Sequence, residues 1–175
     1  MLTDVLTPEQ RKKNMSAIRG KNTKPELKLR KLLHHAGFRF RLYQANLPGR
    51  PDLVLKKYSA VIFVNSCFWH CHDNCKYFKG YPRTHADFWR NKLGRNVARD
   101  KENYRELAGI GFRICIVWEC ALLRTGKLSD DEIKLRIEHW LKSDIPFMTL
   151  SGATSPSIAP NTELTTKIIS TPHDE

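Results

Sequence analysis

The chain has 175 residues, enough for one compact domain and too few for two of ordinary size, and its 30 Lys and Arg against 18 Asp and Glu give a formal net charge of +12. A hydrophobic fraction of 41% with 10% aromatic residues excludes a wholly disordered polycation. No apolar run approaches the roughly 18 residues of a membrane span, and Met1-Leu2-Thr3-Asp4 lacks the basic-then-apolar order of a signal peptide, so a soluble, cytoplasmic protein with a polyanionic partner is expected.

Residues 1–22 read as a basic arm, in which Arg11, Lys12, Lys13, Arg19 and Lys21 surround Met15 and Ile18. Thr23-Lys24-Pro25-Glu26 has the spacing of a capping box, and Leu29, Leu32, Leu33 and Ala36 follow at helical period until Gly37 stops the helix. Phe38, Phe40 and Leu42 alternate with Arg39, Arg41 and Tyr43, the pattern of a half-buried strand. A turn through Pro48-Gly49-Arg50-Pro51 leads to a strand over Asp52-Leu53-Val54-Leu55, and Ala60-Val61-Ile62-Phe63-Val64 is apolar enough for a central strand. Beyond an irregular Cys/His segment, Trp89, Leu93, Val97, Tyr104 and Ala108 fit a long helix, and Phe112 to Trp118 gives another buried strand. Ser129 to Glu132 repeats the capping-box spacing ahead of Ile133, Ile137, Trp140 and Leu141. The order α-β-β-β-α-β-α predicts an α/β or α+β domain with one mixed sheet flanked by helices.

The charge changes sign near Ser143. Residues 1–143 hold 29 basic against 14 acidic side chains, +15, whereas residues 144–175 hold one Lys and four acidic residues and are rich in Ser, Thr and Pro. The expected organisation is a basic arm at 1–22, a core at 23–143 and a disordered tail at 144–175, with a short edge strand at Thr165 to Ser170 as the alternative for the tail.

The segment Cys67-Phe68-Trp69-His70-Cys71-His72-Asp73-Asn74-Cys75 carries the strongest chemical signal. Five cysteines in an intracellular chain pair poorly as disulfides, so a metal site is the better reading. Cys67, His72 and Cys75 can supply three zinc ligands from one loop and Cys120 the fourth, with Cys71 and His70 competing for the same positions. Such a set closes the coordination sphere and makes the zinc structural; hydrolysis would then need a harder, oxygen-bound metal. Asp52, after Pro51, is the leading ligand for it, although the dipeptide alone reads as a turn cap. Cys115 lies in an apolar run and reads as core.

Leu47-Pro48-Gly49-Arg50-Pro51-Asp52, Val61-Ile62-Phe63, Cys67-Phe68-Trp69-His70, Phe88-Trp89, Asn96-Val97 and Ile116-Val117-Trp118-Glu119-Cys120 together resemble the very short patch repair DNA mismatch endonucleases, in consistent order from about Arg11 to Trp140. The resemblance implies a restriction-endonuclease-like fold with a structural zinc, and magnesium-dependent nicking of one strand beside a T:G mismatch left by deamination of 5-methylcytosine. By the same resemblance, Asp52 would bind magnesium, with Val64 contributing its backbone carbonyl, His70 would activate the attacking water, and Glu26 would act from the first helix. Where the family commonly has Thr-His, this chain has Val64-Asn65; Asn65 can donate a hydrogen bond to a phosphate but cannot carry an imidazolium charge. The loop from Cys67 to Cys75 is also one residue longer around Asp73-Asn74.

Phe68, Trp69 and Trp89 are implied to wedge between base pairs, which is easiest beside a mispair, and Met15 and Ile18 to approach from the other groove. On periodicity alone Trp89 would pack as core, whereas Phe68 and Trp69 read as exposed. Arg90, Lys92, Arg95, Asn96 and Arg99 can place phosphate contacts along the long helix. The partners expected are mismatched double-stranded DNA and mismatch-repair proteins, with the chain acting as a monomer. Two other classes remain: a non-catalytic zinc-stabilised DNA-binding module, and a restriction-type endonuclease on paired DNA.

Overall fold

The computed structural model describes residues 20–152 continuously, together with Thr7, Glu9, Gln10 and Lys13. Met15 and Ile18, and the alternative strand at Thr165 to Ser170, lie outside the described residues. From residue 20 onward the elements are α1 (Lys24–His35), β1 (Leu53–Leu55), a 3-10 turn (Lys56–Tyr58), β2 (Ala60–Asn65), α2 (Ala86–Gly109), β3 (Arg113–Trp118), the single turn α3 (Glu119–Leu122), α4 (Asp130–Lys142) and β4 (Phe147–Leu150).

The sheet runs β1-β2-β3-β4. β1 and β2 are antiparallel because only the 3-10 turn and Ser59, in left-handed conformation, separate them. β2, β3 and β4 are parallel, since each connection passes through helices. The continuous apolar runs follow from burial on both faces. Ala60 and Ile62 of β2, with Cys115 and Val117 of β3, pack against Leu29 and Leu33 of α1 and Ile133, Ile137 and Trp140 of α4. Val61, Phe63, Ile114 and Ile116 point the other way, onto Tyr104 and Leu107 of α2. The mixed, helix-flanked sheet expected from the sequence is therefore present, and Cys115 is a core residue whose burial pushes its thiol up.

Several local expectations change. Phe38 to Leu42 forms no strand; it makes one antiparallel bridge, Arg41 to Val54, whose two backbone hydrogen bonds are 2.9 and 2.8 Å long. Tyr43, at φ 46°, turns the chain out of the extended region immediately afterwards and ends the pairing. The buried stripe of α2 is Leu93, Tyr104 and Leu107, with Ala108 exposed and Trp89 and Val97 half-buried.

At α4 the capping box is complete in both directions between Ser129 and Glu132. At α1 it is not: the Thr23 hydroxyl donates to Glu26 at 2.7 Å and accepts no capping hydrogen bond.

The core also extends past the boundary at residue 143. β4 pairs in parallel with β3, from Phe147 opposite Ile114 to Leu150 opposite Val117. Arg113 holds the approach to it, donating to the carbonyls of Tyr58, Trp140, Leu141 and Ser143, while Trp140 Nε1 donates to Ile145 O at 2.9 Å. A four-residue strand flanked by Pro146 and Ser151 is too short to leave a period in the sequence.

Candidate active site and metal centre

β2 ends at Asn65, and Cys67 follows almost at once, buried below the sheet edge. The loop then doubles back. His72 N–H donates to Cys67 O at 2.9 Å, and Cys71 and Asn74 take left-handed backbone angles that turn Cys67, His72 and Cys75 toward one point. Cys120 reaches the same point from the first turn of α3. The ligand atoms of these four residues lie within 4.8 Å of one another and all four residues are buried. Tetrahedral thiolates on a metal at about 2.3 Å would stand roughly 3.8 Å apart, so only a small contraction closes the set.

The surroundings are shaped for it. The His72 ring stacks on Trp118 with centroids 3.9 Å apart, and Gly152 N–H donates to Cys120 Sγ at 3.3 Å. A Cβ at Gly152 would come within 2.8 Å of the Cys120 carbonyl, so glycine is needed for that approach. Hydrogen bonds from Cys67, His72 and Gly152 pull the Cys120 thiol down while the Cys67 thiol is pushed up, as when packed sulfurs share a proton that a cation would displace. Among the candidates, Cys71 and His70 are outside the set. Asp73 and Asn74, where the longer loop is expected, are exposed on the outside of the cluster.

Across the end of the sheet lies a cleft of about 1040 Å³ whose lining includes Glu26, Asp52, Val64, Asn65, His70 and Asp100. Asp52 and Val64 meet there, with Val64 N–H donating to Asp52 Oδ2 at 2.7 Å. The β1–β2 register explains this. Leu53 faces Ile62, so two residues further along Pro51 would face Val64, and a proline has no N–H to offer Val64's carbonyl. In an extended strand the N–H and C=O of one residue point to the same side. The Val64 carbonyl is thus directed to the edge where its N–H meets Asp52, and the pair can offer two oxygens to one hard cation. The turn-cap reading of Asp52 fails because its carboxylate bonds across the sheet to Val64.

Burial pushes the Asp52 carboxyl up to about 7, aided by the charge of Glu26 and opposed by the Val64 N–H, Arg30 and His70. A folded-state value above the unfolded one of roughly 4 means that the protonated acid favours folding. That contribution is complete below about pH 4 and is lost as pH rises through about 7. Asp52→Asn is therefore expected to raise Tm at pH 8 in magnesium-free buffer, by about 2–4 °C for each kcal/mol relieved, and to have little effect near pH 4. Equal Tm values for the two proteins at pH 8 would show that the carboxylate is not strained.

His70 turns away from the Cys/His cluster and places Nδ1 2.5 Å from Asp100 Oδ2. With Nδ1–H held by a carboxylate, Nε2 is left to accept a proton. Asn65 is buried and donates from Nδ2 to the Tyr104 hydroxyl at 3.1 Å. Glu26 is buried on α1 and accepts from the Asn22 N–H, the Thr23 and Tyr43 hydroxyls and Arg30.

A family model described as DNA mismatch endonuclease Vsr matches residues 3–76. The DNA mismatch endonuclease Vsr of Escherichia coli (strain K12) is 44% identical over 140 residues, 80% of this chain and 88% of its own. The chain belongs to the Vsr family. Similar relatives include the Type II nicking enzyme V.XorIIP of Xanthomonas oryzae pv. oryzae, 43% identical over 77% of this chain and 96% of its own. The Type II nicking enzyme V.NmeAIP of Neisseria meningitidis is 43% identical over 69% and 85% respectively.

In this Vsr-family chain the three residues expected to act as a wedge are gathered but not free. Phe68 lies 5.2 Å from Trp69 and 5.6 Å from Trp89 between ring centroids, and all three rings are half-buried against one another. Trp89 is thus neither the core residue that periodicity suggested nor fully exposed, and Phe68 and Trp69 are less exposed than expected. Lys92 Nζ lies over the Trp69, Phe88 and Trp89 rings, and Asn96 Nδ2 donates to Trp69 O at 3.2 Å. Lys21, Arg50, Lys92 and Arg99 put positive charge on the cleft walls.

Sequence reasoning missed Asp100, Tyr104 and Glu119 as site residues. Glu119 accepts from the Ser66 hydroxyl at 3.2 Å and pairs with Arg124 at 2.6 Å, joining the cleft wall to α3. Asp100 had one signal: it falls on the inward stripe of α2 between Leu93 and Tyr104, where a carboxylate needs a partner.

Proposed function

We propose that this chain is a magnesium-dependent mismatch endonuclease that nicks one strand of duplex DNA beside a T:G pair, the product of 5-methylcytosine deamination, and so opens a very short repair tract. The observation that carries this reading is the convergence of the Asp52–Val64 oxygen pair and the Asp100-oriented His70 in one basic cleft. Membership of the Vsr family makes the chain a DNA endonuclease; the metal, the mismatch and the single-strand outcome rest on the site.

Magnesium, when bound, would neutralise charge on the scissile phosphate and leaving oxygen. Asp52 and the Val64 carbonyl hold it. His70 Nε2 takes the proton of the attacking water, while Asp100 keeps the ring oriented and balances the imidazolium that forms. Asn65 offers its amide to a phosphate oxygen, fixed in position by Tyr104. Glu26 acts on the site through its charge, one cause of the raised Asp52 carboxyl. Zinc bound by Cys67, His72, Cys75 and Cys120 fastens the loop that carries Phe68, Trp69 and His70. Phe68, Trp69 and Trp89 stack at the mispair, where unstacking is least unfavourable, and Asn96 steadies Trp69. Met15 and Ile18 belong to this reading as apolar contacts from residues 1–22. The protein acts as a monomer in the cytoplasm, on the nucleoid when bound, and mismatch-repair proteins are its expected partners.

Nicking assays on T:G, other mismatches and paired duplexes in several sequence contexts, with and without magnesium, test the proposal. One nick per T:G duplex, only with magnesium, supports it. Cleavage of both strands of paired DNA would make it a restriction-type enzyme, and binding without cleavage of any substrate a binding module.

Asp100→Asn gives a second test. Losing the charged hydrogen bond to His70 is expected to lower kcat about 10²-fold with KM nearly unchanged, because general-base catalysis contributes roughly 10²–10⁴-fold. A KM effect with unchanged kcat would place Asp100 in DNA binding.

A further inference from the structure

In the same cleft as Asp52, and close enough for Glu26 and Arg30 to act on its charge, a second polar cluster joins three stretches of chain. Arg30 Nη2 donates to Glu26 Oε2 at 2.7 Å, one turn earlier on α1, and both side chains are buried. The Tyr43 hydroxyl accepts from Arg30 and donates to the same carboxylate. The cluster then reaches forward to the segment before α1: Asn22 N–H donates to Tyr43 Oη at 2.9 Å and Glu26 Oε2 at 3.0 Å, and Arg30 Nη1 donates to Asn22 Oδ1 at 2.6 Å.

Two backbone features fit this purpose. Asn22 and Tyr43 both sit at positive φ, 55° and 46°. Tyrosine rarely adopts that region, so surrounding bonds must hold it there. The result is that Gly20, Lys21 and Thr23 form part of the cleft wall, with exposed Lys21 carrying its ammonium 5.0 Å above the Tyr43 ring. A flexible lysine in a freely moving segment would lose much conformational entropy on meeting a phosphate; one whose backbone is already fixed loses less.

We propose that Lys21 is a phosphate contact for the bound duplex and that Tyr43, through Asn22 and the Glu26–Arg30 pair, is the positioning residue that presents it. The inference rests on the duplex-binding part of the proposed function and needs neither mismatch selectivity nor cleavage. Lys21→Ala is expected to weaken binding by the same factor on T:G and paired duplexes, and to flatten the dependence of log Kd on log salt by about 0.9, the share of one phosphate. Tyr43→Phe keeps the ring and removes the hydroxyl, so it should weaken binding in the same sequence-independent way. The double variant should bind no more weakly than Lys21→Ala alone, since Tyr43 acts through Lys21.

Asn22→Gly tests the same link from the other end of the cluster, leaving Glu26, Arg30 and Tyr43 in place and removing the acceptor of Arg30 Nη1. It keeps a left-handed backbone and deletes only the amide that Arg30 holds, and its effect should likewise vanish in a Lys21→Ala background. Circular dichroism on each variant keeps misfolding apart from weakened binding. An unchanged salt slope for Lys21→Ala overturns the phosphate contact, and multiplying effects in both double variants overturn the positioning role. A parent protein that binds T:G and paired duplexes equally would remove the mismatch reading while leaving this one intact.

Discussion

Asp52→Ala is expected to lower magnesium-dependent nicking by about 10³-fold or more while duplex binding in magnesium-free buffer stays the same or tightens. The site gives both directions. Asp52 and the Val64 backbone form the oxygen-bearing edge of the cleft, and deleting the carboxylate leaves the carbonyl alone to hold a dication. A loss of metal stabilisation worth about 4 kcal/mol in the transition state corresponds to that factor. Binding should not suffer, because above about pH 7, where the buried carboxyl is ionised, it is a negative charge that a phosphate would have to approach, and below that it is largely neutral. Single-turnover nicking beside anisotropy on one duplex separates the two effects. Activity within tenfold of the parent would remove Asp52 from the metal site.

The second large effect concerns the Cys/His cluster. Cys120→Ser is expected to lower bound zinc from one ion per chain toward none and to unfold the chain well below the parent Tm. Structural zinc contributes about 10–16 kcal/mol in small domains, comparable to the roughly 5–15 kcal/mol of an entire fold. Cys120 lies where β3 passes into α3 and meets the N–H of Gly152, so its loss is expected to loosen the Cys67–Cys75 loop, the sheet end and the attachment of Gly152 together. Two controls sharpen the measurement. Cys71→Ser, outside the cluster, should keep zinc and Tm, whereas Cys115→Ser should keep zinc and lower Tm by burying a hydroxyl in the core. Zinc retained at full occupancy in Cys120→Ser would break the assignment.

These two sites differ in how openly the sequence carries them. The Cys/His cluster is legible because holding a metal needs rare residue types, and Cys67, His72 and Cys75 sit close enough in the chain for spacing to be informative; Cys120 follows from being the cysteine just past a buried strand. The proposed nuclease site is legible only through the family's motifs, since a Pro-Asp dipeptide has many uses. Its geometry explains why the dipeptide matters: proline withdraws the N–H that would otherwise bond Val64's carbonyl, and aspartate takes the N–H beside it.

Asp100, Tyr104, Tyr43 and Arg30 were not legible in the same way. Each is a common residue type whose partner is distant in the chain or hidden by a plausible local role. Glu26 is the clearest case. Its spacing from Thr23 suggests a capping box, yet the carboxylate joins a buried cluster with Tyr43, 17 residues away. A long-range partner offering a charged or phenolic donor outweighs a local cap, because burying the carboxylate unpaired would be far more unfavourable than leaving a helix N–H to water.

The sequence by itself determined the mixed sheet, the helix capped at Thr23 that stops before Gly37, the gathering of Cys67, His72, Cys75 and Cys120 and the basic character of the core. These depend on periodicity, backbone chemistry and ligand type, which are properties of short stretches. Only the tertiary structure decided that Phe38 to Leu42 makes a single bridge, that β4 carries the core past residue 143, that His70 faces Asp100 and not the Cys/His cluster, and that Phe68, Trp69 and Trp89 pack on one another. Those outcomes are contests between groups far apart in the chain, settled by which pairing buries apolar surface while leaving the fewest polar groups without a partner.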